Sequence, residues 1–319
     1  MAEGRPSGVF QKLRYALWWR YWVFLRLRAT HHLSWSTLGL ALDLDSVLRS
    51  RVVRWILRFR LREAGDGLVG MKVGSAREWL LPVRRHLPAP KAFADVFIFL
   101  WLPVYLLDAY EMERFLKPGM TVIDGGAHAG GFSRLAGELV GPTGRVIAVE
   151  PCEENLAALR PNLDGSDGAQ VTVLQGALWQ EDTDLELQLA DTNLGRQAVS
   201  QDRRQEVIGT LKVKARSIDH IAAELGLDRV DLIKLDIEGC EAEALRGSAE
   251  VLRVHRPVVI TAAYHKAGDL HDLPALLAEL TTDYLICPYQ AYPGAEVLIM
   301  AVPRERIPEG LEAANRFTA

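Results

Sequence analysis

Three short stretches hold the side chains that could do chemistry: VIDGGAHAGGFS at 122–133, IKLDIEGCE at 233–241 and AYHK at 263–266. In the second, Asp236 and Glu238 are spaced by two, which lets both carboxylates leave the chain on one face. In the third, His265 brings an imidazole whose unperturbed pKa of about 6.5 suits proton uptake near neutrality. Two acids and a histidine support proton transfer. They could instead hold one Mg²⁺ with several waters. No carboxylate-rich cluster beyond Asp236 and Glu238 is visible, so no metal ligand is assigned and a divalent metal stays a secondary alternative. Each residue also has a bland use, Glu238 as a cap for a helix starting near Cys240 and His265 as a hydrogen-bonded wall residue.

Elements must bring these stretches together. Apolar runs predict strands at Thr121 to Asp124, Arg145 to Glu150, Val171 to Gln175, Val230 to Asp236, Pro257 to Ala262, Tyr284 to Pro288 and Ala295 to Val302. Helical patterns separate most of them: FSRLAGELV, EENLAALRPNL, IDHIAAELGL, EAEALRGSAEVL and DLPALLAEL. Strands joined by helices predict an α/β fold with a mostly parallel sheet covered on both faces. The last two strands have too short a connection for a crossover, so they form a terminal antiparallel hairpin. Asp184 to Val213 interrupts the alternation and reads as an inserted hairpin. Upstream, LVGMKV and EWLLPVR resemble two short strands joined by a turn, and DAYEMERFL is helical with Asp108 as a possible cap.

An open sheet of this kind seats its ligand at the carboxyl ends of the strands, where strand order reverses. TVID opens the regular alternation, which places Asp124, Gly125, Gly126, His128, Gly130 and, at the start of the next helix, Ser133 around that crevice. Glycine permits positive φ and close approach, and the helix aims free N–H groups at whatever lies above. Glu150, with Pro151 behind it, ends the next strand about 20 residues on, where an acid can accept both hydroxyls of a ribose. Gly176 and Ala177 follow the third strand, beside an adenine.

Glycines at i, i+2 and i+5 would mark a dinucleotide seat, but the second position here is His128 or Ala127. The acid-first order Asp124, Gly126, His128, Gly130 instead resembles the first motif of class I S-adenosylmethionine methyltransferases, with the middle glycine replaced. VIDGGAHAGGFS, VIAVEP, SIDHI, DLIKLDIEGCEAEALRG and VVITAAYHK occur in the order and at about the spacing of FkbM-type methyltransferases, and over roughly residues 68 to 303 the chain resembles that family. The resemblance implies a Rossmann-like class I fold, S-adenosyl-L-methionine as cofactor, and O-methylation of a sugar, glycolipid or natural-product hydroxyl. For that reaction, the near-neutral titration of an imidazole makes His265 the preferred general base, with Asp236 orienting the acceptor hydroxyl or favouring the positively charged methyl donor. PYQAYPG departs from the family pattern near the last hairpin, where acceptor recognition is expected.

Charge is unevenly spread. Residues 1 to 62 hold 12 Lys or Arg against Glu3, Asp43 and Asp45, a net of +9 that leaves -13 for the rest, and five of the eight tryptophans also lie there. SVLRSRVVRWILRFRLR at 46–62 predicts a basic amphipathic helix, suited to the protein's own body, a partner or an anionic membrane surface. No stretch reaches the roughly 20 uninterrupted apolar residues of a spanning helix, and VFIFLWLPVYLL at 96–107 reads as core. Three well-separated cysteines give no disulfide or zinc pattern. The expected organisation is a basic, Trp-rich helical extension at 1–67, a hairpin and apolar element at 68–107, a methyltransferase domain at 108–305 and a tail at 306–319. The expected setting is cytoplasmic, with a peripheral position on the inner membrane face as an option. The expected partners are a small-molecule, glycan or lipid-linked acceptor and no nucleic acid. Two other functions compete: an NAD-dependent oxidoreductase, which lacks a Tyr-x-x-x-Lys pair here, and a non-enzymatic membrane adaptor.

Overall fold

In the computed structural model, the residues described are 61–65, 68–71, 79–82, 110, 112–164, 168–192, 195–199, 207–289 and 297–308. Three short strands come first, β1 (Leu61–Gly65), β2 (Leu68–Met71) and β3 (Trp79–Pro82), paired antiparallel in that order. The pair expected here is therefore a trio. The basic helix expected over 46–62 does not reach its stated end, because Leu61 and Arg62 pair with Met71 and Gly70. The sequence Asp66-Gly67 between paired Gly65 and Leu68 is the strongest short hairpin signal, and it draws these two residues into a strand. The rest of that helix, the apolar run at 96–107 and Asp108 lie outside the described residues.

Next come α1 (Met112–Phe115), β4 (Thr121–Gly125), α2 (Gly131–Val140), β5 (Arg145–Glu150), α3 (Glu153–Leu163) and β6 (Gln170–Gln175). An inserted block follows, β7 (Ala177–Leu178), β8 (Thr183–Thr192), β9 (Gly195–Val199) and β10 (Val207–Arg216), then α4 (Ile218–Glu224) and β11 (Leu232–Leu235). The chain continues through α5 (Glu241–Arg246), α6 (Ala249–His255), β12 (Val258–Ala262), α7 (Asp269–Leu280), β13 (Tyr284–Tyr289) and β14 (Leu298–Pro303). The central sheet has seven strands in the order β13-β14-β12-β11-β4-β5-β6. All run parallel except β14, which is antiparallel to both neighbours, as the short last connection requires.

Successive strand residues explain why both faces must be covered. Val122, Leu232, Val258 and Met300 are buried against α1 and α2, whereas Ile123, Ile233, Val259 and Ile299 are buried against α4, α6 and α7. Each such side chain contributes roughly 1.5–3 kcal/mol when fully buried. These runs carry no polar alternation because neither face meets water. Strand order reverses between β4 and β11, so the crevice opens above Gly125 and Leu235, which are register partners.

The expected inserted hairpin is larger than its sequence suggested: β8 and β10 form it, β9 extends it on one side, and β7 pairs parallel with the end of β10 on the other. EAEALRGSAEVL, expected as one helix, is split into α5 and α6 at Gly247. There the carbonyl of Trp179 stands 2.1 Å from where a β-carbon would sit, so only glycine passes. A side chain of α3 ties the three-stranded sheet to the body of the protein at β3. The buried Asn162 of α3 accepts from Leu80 N–H at 2.7 Å and donates to Leu80 C=O at 2.7 Å and Ala129 C=O at 2.8 Å. The Arg134 guanidinium lies 4.5 Å over the Trp79 ring beside it.

Candidate active site

The glycine corner is built by the register of β4 against β11. Lys234 pairs with Asp124 in a parallel, in-register match, so both side chains leave the same face. Lys234 Nζ lies 3.0 Å from Asp124 Oδ1 and donates to Gly125 C=O at 3.0 Å and Gly126 C=O at 2.9 Å. The other carboxylate oxygen of Asp124 accepts from Ser133 Oγ at 2.5 Å. Burial opposes the charge on Lys234, but the carboxylates of Asp124 and Asp236 outweigh it and hold its pKa above the ordinary value. Asp124 and Ser133 have no exposed surface, so these two expected cofactor residues shape the corner from beneath.

Gly126 has φ +76°, and a β-carbon there would meet the Asp236 carbonyl at 2.0 Å. Glycine at this position is thus demanded by the protein's own β11 end, a different cause from close approach of a ligand. His128 also adopts a left-handed conformation, with φ +49°. Its N–H donates to Glu150 Oε2 at 2.9 Å, while Glu150 Oε1 accepts from Cys152 N–H at 3.0 Å and Asn155 Nδ2 at 2.9 Å. Glu150 is thereby fixed at the β5 end with its lone pairs incompletely used, since each carboxylate oxygen accepts two bonds. Pro151 follows, half-buried. Gly130 precedes α2 with φ +90°. Ala177 is buried in the inserted sheet with Leu187, Ala215 and Cys240, one residue past Gly176.

At the neighbouring strand ends the structure brings Asp236, Glu238 and His265 together. His265 Nε2 stands 3.5 Å from Asp236 Oδ1 and 3.6 Å from Glu238 Oε2. Its Nδ1 is 2.7 Å from Glu241 Oε1, which also accepts from Ile237 N–H at 2.9 Å. Asp236 accepts from Tyr264 OH at 2.9 Å on one oxygen and from Tyr110 OH at 3.3 Å on the other. Burial opposes ionisation of Asp236, but Lys234, His265 and the two phenols outweigh it and keep its carboxyl below the usual carboxylate range. The side chains of Asp236 and Glu238 retain 22% and 16% exposure, whereas that of His265 has none, so the carboxylates form the accessible layer. Burial and the neighbouring Glu241 and Glu243 push the Cys240 thiol up to about 12, which leaves it no thiolate near neutrality.

Four participants were not read from the sequence: Lys234, Glu241, Tyr110 and Tyr264. Lys234 alone had a usable signal, a lysine inside the apolar strand LIKL that must find a partner when both faces are covered. Asp236, Glu241 and His265 each offer a ligand-type atom within 4.8 Å of the others. The 2.7 Å contact between Glu241 and Nδ1 is a direct hydrogen bond, while Asp236 faces the other ring nitrogen at 3.5 Å, an ion-pair distance. The crevice suits an S-adenosyl nucleoside on two observations: a buried, oriented carboxylate at the β5 end for ribose hydroxyls, and anionic groups across it for a sulfonium.

A model of the methyltransferase FkbM domain matches residues 124–284, about half of the chain. Among solved structures, methyltransferase FkbM from Methylobacillus flagellatus aligns over 81% of this chain and 60% of its own, with 20% identity and a TM-score of 0.43. Fibrillarin from Aeropyrum pernix, crystallised with natively bound S-adenosyl-L-methionine, aligns over 76% and 97% with 12% identity and a TM-score of 0.38. Ribosomal RNA large subunit methyltransferase E of Acinetobacter baylyi is 56% identical over 43 residues, 14% of this chain and 20% of that protein. The chain spans about a fifth of the length of the curated relatives it matches.

Proposed function

The chain belongs to the FkbM methyltransferase family, and from that premise we propose that it methylates a hydroxyl of a sugar, a lipid-linked glycan or a natural product. S-adenosylmethionine, when bound, supplies an electrophilic methyl group on a cationic sulfur. The chain's own residues do the rest. Glu150 holds the ribose, and the Lys234 clip keeps the corner backbone in place. Asp236, held as an anion, favours positive charge nearby and orients the acceptor oxygen. The layer of Asp236, Glu238 and His265 receives the hydroxyl proton, a contribution of about 10²–10⁴-fold for a positioned general base.

The single observation that carries this reading is the meeting of Asp236, Glu238 and His265 at the β11 and β12 ends, across the crevice from Glu150. Calorimetry with S-adenosylhomocysteine tests the cofactor half. The intact protein binds it, and Glu150→Ala weakens binding by about 10–100-fold, the loss of one or two bonds to a charged acceptor. No binding by the intact protein removes the reading. For the acceptor, mass spectrometry of glycans and lipids from cells with and without the gene should reveal a species heavier by one methylene unit.

A ribose hydroxyl of RNA is the second reading. It is favoured by the short match to ribosomal RNA methyltransferase E. It is opposed by the net charge of -13 outside residues 1 to 62, because phosphate binding is driven by basic surface. Nuclease-digested RNA in the same comparison separates the two: a missing 2′-O-methyl nucleoside would move the acceptor to RNA.

A further inference from the structure

Resting on the hydroxyl-acceptor reading, we infer that Glu238 is the catalytic base, the group that takes the acceptor's proton. Three side chains compete for that role, and the surroundings of two of them weigh against it. Asp236 has a phenol on each oxygen and a buried ammonium nearby, which fix it as an anion and leave it a weak proton acceptor. His265 has carboxylates facing both ring nitrogens, Glu241 at 2.7 Å on one and Asp236 and Glu238 at 3.5 and 3.6 Å on the other, and its side chain has no exposed surface.

Glu238 differs in its backbone. Its φ is +59°, the left-handed region that non-glycine residues enter at a cost, and the next residue, Gly239, continues the turn at +99°. Such strain persists where the surroundings enforce it and is concentrated at functional sites. The turn does not need a glutamate for capping, since the Ile237 N–H beside it bonds to Glu241 and α5 starts only after Cys240. What the conformation achieves is to bring a part-exposed carboxylate to the strand ends, 3.6 Å from His265 Nε2. In the transfer, the acceptor's O–H bond breaks and its proton passes to Glu238. The oxygen's electron pair forms the O–CH₃ bond, and the pair of the broken CH₃–S bond stays on sulfur, leaving a neutral thioether.

The test compares Glu238→Gln, Glu238→Asp and Glu238→Gly in the full chain. Three readouts are taken: the thermal midpoint, calorimetric affinity for S-adenosylhomocysteine, and transfer of radiolabelled methyl to lipid and glycan extracts of cells lacking the gene. Because glycine takes φ +59° without steric cost, Glu238→Gly unfolds at or above the wild-type temperature. All three variants keep S-adenosylhomocysteine affinity within about threefold. Gln and Gly lose transfer by at least about a hundredfold, and Asp restores part of it. A Gly variant that unfolds below the wild type marks Glu238 as a turn-building residue and overturns the inference, as does a Gln variant that keeps more than about a tenth of the transfer. A wild type that transfers methyl to neither extract overturns the hydroxyl reading instead, and the unfolding comparison still decides whether the strained turn serves stability.

Discussion

At the scale of single residues, the site rests on a lysine, Lys234, to which the motif around it assigns no chemistry of its own. Lys234 and Asp124 are 5% and 0% exposed in their side chains, so removing the cation strands a carboxylate in the core. Lys234→Met should therefore destabilise the fold by about 3–5 kcal/mol in denaturant titration. Lys234→Met with Asp124→Asn should cost less than the two single changes summed, because each single change counts the same broken pair. Asp236 gives a second residue-scale prediction, in pH. Its folded pKa lies below the ordinary value, so its stabilisation is complete above the unfolded pKa of about 3.9 and disappears as pH falls through the lower folded value. Asp236→Asn should flatten the acid limb of the stability curve below about pH 4 and leave its shape at neutral pH unchanged. Asp236, Glu238 and His265 were legible because they lie at ends of recognisable strands. Glu241, Tyr110 and Tyr264 were not, since their contacts depend on how a turn, a segment before β4 and the β12 end fold over one another.

At the scale of elements, the strands were the most legible part and the glycines the most misread. All seven central strands are where apolar runs predicted them, within a few residues; β4, β5, β11, β12 and β14 are buried on both faces and leave an unbroken hydrophobic signature, whereas the edge strands β6 and β13 are only partly buried. Gly126 and Gly247 look alike in sequence terms, yet each is forced by a carbonyl from another element, Asp236 at 2.0 Å and Trp179 at 2.1 Å. Alanine at either should lower the thermal midpoint. Only Gly126→Ala should also weaken S-adenosylhomocysteine, by at least about tenfold, because it pushes the corner away from the β11 end, whereas Gly247→Ala disturbs the junction of α5 and α6. Calorimetry on the folded fraction of each separates the two. Asn162→Ala removes three bonds at once, two to Leu80 and one to Ala129. Hydrogen exchange in β2 and β3 should accelerate while the β4 and β5 amides stay protected, which would show that the three-stranded sheet is held mainly by that amide.

At the scale of the whole molecule, charge divides the chain more sharply than any element boundary, with +9 on residues 1 to 62 and -13 on the remainder. Among the described residues no helix is long and apolar enough to cross a membrane. The basic, Trp-rich composition of residues 1 to 62 directs attention to surface attachment, and we propose that the N-terminal arm brings the enzyme to anionic lipid, where a lipid-linked acceptor would be presented. Interleaved tryptophans suit the headgroup boundary, and each basic side chain near an anionic surface contributes about 1 kcal/mol, an attraction that decays within a Debye length of about 10 Å at 0.1 M salt. Full-length protein should therefore co-sediment with vesicles containing phosphatidylserine at low salt and release as salt rises, while vesicles of neutral lipid leave it in the supernatant. Reversing three charges, with Arg51→Glu, Arg54→Glu and Arg58→Glu together, should weaken partition by at least about a hundredfold and leave S-adenosylhomocysteine affinity untouched. Equal sedimentation of the triple variant and the wild type would detach the arm from any role at a lipid surface and return its arginines to the protein's own acidic body, whose charge is large enough to hold them.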